Sequence, residues 1–228
     1  MKKSTGWGGS GVTFCDNEDQ VATVYRKYSE VTRWKGMLKA RLIQARGWAL
    51  GPDWFPTDPS VTVNEAVYGK PAMIAVSAVN GKVLSHATAI KELCYPQVTS
   101  PSSVVRFVEH QDMKKTVVDL VAHWGATGFL GFDFMLSADG STRLIECNAR
   151  PTFLSYMGAL SGSDLCLALH HYLVGIEIPT PSVPQQELAA HFPNEWRRDP
   201  KSPHLLSAYH DVPWDDPGLL AKLIKEWK

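Results

Sequence analysis

No stretch of this sequence stays apolar for long enough to span a bilayer, and no charged leader followed by an apolar run opens it. Those absences point to a protein with no membrane partner, and the expected compartment is the cytoplasm. Cysteine is scarce. The four, Cys15, Cys94, Cys147 and Cys166, stand far apart with no C-x-x-C pair, which argues against a disulfide framework or a zinc ribbon and predicts reduced, mostly buried thiols. An excess of either charge is missing too. Lys plus Arg and Asp plus Glu each total 23, so no net field recruits nucleic acid, and any phosphate binding has to come from a local site. What the chain does have is apolar residues, 44% of 228, enough for one large or two small packed units. Its 8 tryptophans mostly stand singly in apolar patterns, which predicts core packing rather than a sugar-stacking surface.

The stretch that organises the rest runs from Gly131 to Arg150. Asp139-Gly140 falls between two alternating apolar runs, the strongest short signal for a β-hairpin. If those two residues form a type I′ turn, Ala138 sits opposite Ser141, and Asp133 falls directly opposite Glu146. Alternation puts Asn148 on the same face and sends Phe132, Phe134, Leu136 and Ile145 to the other. Like charges set directly opposite are destabilising unless something lies between them. A hard divalent cation is the natural candidate, because Mg²⁺ takes oxygen ligands from one or two carboxylates and completes its shell with waters and phosphates. The competing reading is a plain solvent-facing side of a sheet. Three oxygen donors in register, with Arg150 two residues on, favour the metal.

Near the start, Gly6, Gly8, Gly9 and Gly11 crowd one short loop. Glycines at this density let backbone N–H groups converge on a phosphate. Gly6, Gly8 and Gly11 also satisfy G-x-G-x-x-G, with Glu30 in reach as a ribose acid, which keeps a dinucleotide-dependent oxidoreductase as a distant reading. Against it, the loop runs into the apolar run Val12 to Cys15 rather than into a helix. No Gly-Lys-Ser/Thr ending follows, so a Walker loop is excluded. Strand, glycine loop, strand remains: a flap over a nucleotide's phosphates, with a glycine-rich tail as the bland alternative.

Further along, Asp16 is expected to cap a helix from about Asn17 to Ser29 and a second helix to run from Val31 to Arg46. A proline loop follows over 51–59. Strands are expected over Val61–Ala66, Pro71–Val79 and Lys82–Ile90, the last two joined at Asn80-Gly81. Tyr95–Ser103 reads as irregular, and a helix over Asp112–Trp124 turns Met113, Val117, Val118, Leu120 and Val121 inward. A helix over Leu165–Val174 is capped by the Asp164 region and closed by Gly175. From Pro179 the sequence reads as proline-rich linker, ending in a short amphipathic helix capped by Asp216.

Taken together, the flap pattern K-x-x-x-G-x-G-G-x-G-V from Lys2, the acidic strand end at Glu65 and the hairpin ending Glu146-Cys-Asn148-Ala-Arg150 resemble the ATP-grasp superfamily, most closely its carbamoyl-phosphate synthetase and biotin carboxylase branch. The resemblance implies an α+β fold in which nucleotide lies between two mainly antiparallel sheets flanked by helices. It divides the chain into a flap subdomain, 1–70, a C-terminal subdomain with the metal-binding hairpin, 71–178, and a linker and helical tail, 179–228. It implies an ATP- and Mg²⁺- or Mn²⁺-dependent ligase that activates a carboxylate as an acyl phosphate for attack by an amine or similar nucleophile. Lys2 and Gly6, Gly8, Gly9 and Gly11 would hold the phosphates, and Asn64, Glu65, Ala66 and Val67 the adenine edge. Asp133, Glu146 and Asn148 would be the metal ligands, and Arg150 would stabilise the transferring phosphoryl group. Asn64 and Gly69-Lys70-Pro71 depart from the family's acids, which leaves ribose binding open, and Lys3 replaces a usual proline. The superfamily's preceding substrate-binding domain is absent from the sequence as given, which keeps a non-catalytic ATP-binding module, or a fragment of a larger ATP-grasp enzyme, as the alternative. A homodimer is compatible with either. Because the flap is expected to act through backbone N–H groups, Gly8→Val or Gly9→Val should weaken nucleotide binding several-fold while circular dichroism stays native. Unfolded variants would make the loop structural instead.

Overall fold

The computed structural model of the chain describes residues 1–3, 11–29, 61–96 and 100–225. The chain forms two compact units, Met1–Ala66 and Val67–Lys228. In the first, β1 (Lys2–Lys3) pairs antiparallel with β2 (Val61–Thr62), and Lys2 also bridges to Val12. Helix α1 spans Glu18–Ser29. It starts one residue later than expected because Asn17, not Asp16, is its cap. Asn17 Oδ1 accepts from the Gln20 N–H at 2.9 Å while Gln20 Oε1 accepts from the Asp16 N–H at 2.9 Å, an arrangement close to a capping box. The expected strand Val61–Ala66 stops at Thr62, since β1 offers it only Lys2 and Lys3 as partners. The expected helix over 31–46 and the proline loop over 51–59 lie outside the described residues.

The second unit is built on a seven-stranded sheet in the order β7-β6-β3-β4-β5-β8-β9. Its strands are β3 (Lys70–Val79), β4 (Lys82–Cys94), β5 (Ser102–Phe107), β6 (Gly128–Leu136), β7 (Thr142–Asn148), β8 (Leu188–Ala190) and β9 (Tyr209–His210). All neighbours are antiparallel except β8 and β9. Asn80 (φ 49°) and Gly81 (φ 79°) make the left-handed pair that a type I′ turn between β3 and β4 requires. Helix α2 (Gln111–Trp124) covers one face of the sheet. Its Met113, Val117 and Val121 pack on Ala72, Ile74, Val76 and Ala78 of β3 and on Leu130, Phe132 and Phe134 of β6. The other face packs Met73, Ala75, Ala87, Ala89, Val105 and Phe107 against α3 (Phe153–Met157) and α4 (Leu165–Val174) through Leu154, Met157 and Leu165. β3 is therefore buried on both sides, from Ala72 through Ala78. Asp164 caps α4 by accepting from the Leu167 N–H at 2.8 Å, and left-handed Gly175 ends it, as expected.

Several expectations are corrected. Tyr95–Ser103 is not wholly irregular, because β5 begins at Ser102; the short run Ser102-Ser-Val-Val is polar at its start yet fully buried. Val118 is 38% exposed instead of inward. The segment after Pro179 contributes β8 and β9 to the sheet, and also α5 (Asn194–Arg198) and α6 (His204–Ser207), before the expected helix, here α7 (Pro217–Lys225), which Asp216 caps. Two of the four free thiols, Cys147 and Cys166, are exposed. Trp124 and Trp214 are 49% and 75% exposed, so these two are not core residues. Among the described residues no helix is long and apolar enough to cross a membrane.

The tail is anchored by Glu195, which is completely buried. Arg198 grips its carboxylate at 2.8 Å from Nε and 2.6 Å from Nη2, and the Ser202 hydroxyl donates to it as well. Burial alone would push this carboxyl up, but the bonds from Arg198 and Ser202 hold it down, to about 2. A carboxyl depressed in the folded state stabilises fully above its ordinary value of 4.5, and that contribution is lost as the pH falls towards about 2. Glu195→Ala leaves a half-buried guanidinium without its anion, so it should lower stability by about 3–5 kcal/mol at neutral pH. Denaturant midpoints at pH 7 and pH 3 check this. The gap between wild type and variant should narrow at the lower pH, and a wild-type midpoint at pH 7 would rule the anchor out.

Candidate functional site

The hairpin brings Asp133 and Glu146 opposite each other, by a route different from the expected one. Ser137 and Ser141 close a three-residue loop, Ala138–Gly140. The Ser137 N–H donates to Ser141 O at 2.9 Å, the Gly140 N–H donates to Ser137 O at 3.0 Å, and Gly140 is left-handed at φ 83°. A type I′ turn would need Asp139 to be left-handed as well, and among the described residues only Asn80 is a left-handed non-glycine. The longer loop offsets the pairing by one, giving Leu136↔Thr142, Met135↔Arg143 and Phe134↔Leu144. A bulge at Ile145 then restores the register, so that Asp133 pairs with Glu146 and Gly131 with Asn148. Ile145, expected on the core face, is the extra residue and is 48% exposed.

Asp133, Glu146 and Asn148 thus share one face, where the last residues of β7 lie beside the middle of β6. Asn148 Nδ2 lies 3.4 Å from both Asp133 Oδ2 and Glu146 Oε1. A residue that sequence reasoning passed over joins them: Lys91 of β4 donates from Nζ to Asp133 Oδ1 at 2.7 Å. The registers explain the reach. Met73 of β3 pairs with Ala89 on one side and Asp133 on the other, so Lys91, two residues along from Ala89, lies on the same face and extends over β3. The expected strand stopped at Ile90, one residue short. The alternation Ala87, Ala89, Lys91 was the signal that carries Lys91 to this face. Nearby, burial pushes the Cys94 thiol up, with Lys91 pulling it down and Asp133 raising it further, which leaves it protonated at neutral pH. Among the described residues no three His, Cys, Asp or Glu side chains converge as a metal cluster; the cluster here is two carboxylates and one carboxamide. All three can offer hard oxygens, a set that fits Mg²⁺ or Mn²⁺ once the Asn148 amide turns its Oδ1 inward.

The remaining expected residues fall as follows. Lys2 is half-buried on β1. Met1 N donates to Thr13 O at 2.8 Å and the Thr13 N–H to Met1 O at 2.9 Å. Gly11 is left-handed at φ 86°, and Gly6, Gly8 and Gly9 lie outside the described residues. Asn64, Glu65 and Ala66 are exposed in the irregular segment after β2, and half-buried Val67 begins the second unit. Arg150 is exposed, its Nη1 donating to Pro151 O at 3.2 Å.

The same architecture is found in solved structures. The biotin carboxylase–β-γ-ATP complex from Campylobacter jejuni superposes with a TM-score of 0.55 at 16% identity, covering 79% of this chain and 37% of that one. The chain has the ATP-grasp fold. A second match is the biotin carboxylase domain dimer of Hydrogenobacter thermophilus 2-oxoglutarate carboxylase, in complex with MgADP, ADP and bicarbonate, with a TM-score of 0.51, 18% identity and the same coverage, 79% and 37%. The chain therefore spans little more than a third of the length of these ATP-grasp structures. No protein-family model and no curated protein sequence matches it.

One glycine sets the floor of this ATP-grasp hairpin. A Cβ on Gly131 would meet Thr152 Cγ2 at 2.5 Å, and Thr152 starts α3, its N–H donating to Ser155 Oγ at 3.1 Å. Gly131 sits opposite Asn148, so crowding there pushes on the strand end that carries the site. Gly131→Ala should lower stability by about 1–3 kcal/mol, the usual range for overpacking. Thermal unfolding checks it, and an unchanged midpoint would mean that Thr152 yields freely.

Proposed function

We propose that this chain is an ATP- and Mg²⁺- or Mn²⁺-dependent ATP-grasp ligase, or the nucleotide-binding core of one, which activates a carboxylate-bearing small molecule as an acyl phosphate for attack by an amine or similar nucleophile. The observation that carries the reading is the in-register pair Asp133 and Glu146 with Asn148 beside it, on a fold whose solved examples include nucleotide complexes. Two like charges held together in this way are what a divalent cation with phosphate co-ligands requires. When bound, that ion would neutralise phosphate oxygens during transfer. The chain's residues do the positioning, which is most of what phosphoryl transfer asks of a protein. In this reading Asp133, Glu146 and Asn148 would hold the ion, Lys2, Gly6, Gly8, Gly9 and Gly11 would serve the phosphates, and Asn64–Val67 would offer backbone groups to the adenine edge. Arg150 supplies a planar guanidinium suited to bidentate contact with phosphoryl or carboxylate oxygens.

The contact of Arg150 with its neighbour's carbonyl favours one second reading, a nucleotide-binding module without turnover in which Arg150 braces the Pro151 turn. Titration calorimetry tests the shared part of both readings. ATP affinity should fall at least tenfold when excess chelator replaces Mg²⁺, and Glu146→Gln should reproduce the loss while Asp119→Asn, on the exposed face of α2, should not. Equal affinity with and without chelator would refute the metal site. Release of ADP and phosphate on adding a carboxylate and an amine separates the ligase from the silent module.

A further inference from the structure

The acidic pair is already held by a cation of the chain's own. Lys91 Nζ sits 2.7 Å from Asp133 Oδ1, with the two side chains 16% and 26% exposed, a short charge-assisted bond at a partly dry position. On the other side, the Asn148 amide nitrogen faces both carboxylates. Lys91 and Asn148 thus each turn a nitrogen donor toward this acidic pair. A divalent cation and an ammonium on the one carboxylate of Asp133 repel each other strongly where water is scarce. That repulsion favours release of the lysine when the ion binds. The side chain suits the exchange: an ammonium is a compact point charge on a flexible four-carbon stem, whereas an arginine fork would hold the carboxylate in a fixed two-point grip.

Resting on the ATP- and metal-dependent reading above, we propose that Lys91 is a built-in counter-cation for the metal site. It pairs with Asp133 until a divalent ion displaces it, and its freed ammonium then becomes a positioning charge for the phosphates that arrive with the ion. This arrangement keeps two carboxylates together when no ion is bound, where their repulsion would otherwise strain the β6–β7 register. It also makes the bare ion bind weakly and the ion with its nucleotide bind well, since only the phosphates give the displaced ammonium a new partner. The metal site is thereby made selective for the metal–nucleotide complex over the free metal.

Electron paramagnetic resonance of Mn²⁺ on the full chain tests this without any turnover. In the absence of nucleotide, Lys91→Met and Lys91→Gln, two ways of removing the charge, should each bind Mn²⁺ about tenfold or more tightly than wild type, and Lys91→Arg should not. Added ATP should strengthen Mn²⁺ binding in wild type and strengthen it much less in the two neutral variants. Neutral variants that fold, by circular dichroism, and bind free Mn²⁺ no more tightly than wild type would overturn the proposal. If they bind it more tightly but ATP strengthens Mn²⁺ binding in none of the proteins, the counter-cation role stands and the nucleotide reading fails, so the two are separable.

Discussion

Two carboxylates placed opposite one another across a strand pair repel, and the sheet keeps Asp133 against Glu146 only because its surroundings leave them no other register. The core side of β6 is committed. Leu130, Phe132 and Phe134 are buried beneath α2 together with the alternate residues of β3, and a one-residue slip would turn three large side chains out of that core and the charges into it. The bulge at Ile145 absorbs the mismatch created by the three-residue loop, so the apolar face and the acidic face are both satisfied. Lys91 and Asn148 then offset the remaining repulsion. Burial sets the register, and the register sets the site.

The same hairpin shows how much was legible in the sequence and why the rest was not. Alternation and the Asp-Gly signal led to the right partners, but the turn type was wrong by one residue and the bulge corrected it, a cancellation that no local pattern announces. The helices over Gln111–Trp124 and Leu165–Val174 and the turn at Asn80-Gly81 were readable because periodicity, caps and glycine positions are local. β5, β8 and β9 were not. Each is six residues or fewer and polar or small in part, and each becomes a strand through pairing with neighbours distant in sequence. Lys91 escaped for the same reason, since its partner lies 42 residues away and two strands across. Exposed Val118 and Trp124 show the limit of helical spacing, which gives the direction of a face and not how far the neighbouring element covers it.

The chain carries no net charge, so whatever anion it binds is recruited by local geometry. Some of its described cations are held in specific pairings. Arg198 serves buried Glu195, and Arg106 bridges Glu92 and Glu187 on the sheet. Lys91 differs from these in lying on the face where the hairpin gathers its acids. That contrast is the physical reason for treating its ion pair as exchangeable and the others as structural.

Anomalous diffraction from crystals of the chain grown with Mn²⁺ and ADP would test the central claim most directly. The account predicts one strong manganese peak between Asp133 and Glu146, roughly 2.0–2.2 Å from oxygens of each as expected for a hard divalent ion, with Lys91 moved off Asp133. A manganese peak elsewhere, or nucleotide bound with Lys91 still paired to Asp133, would contradict it.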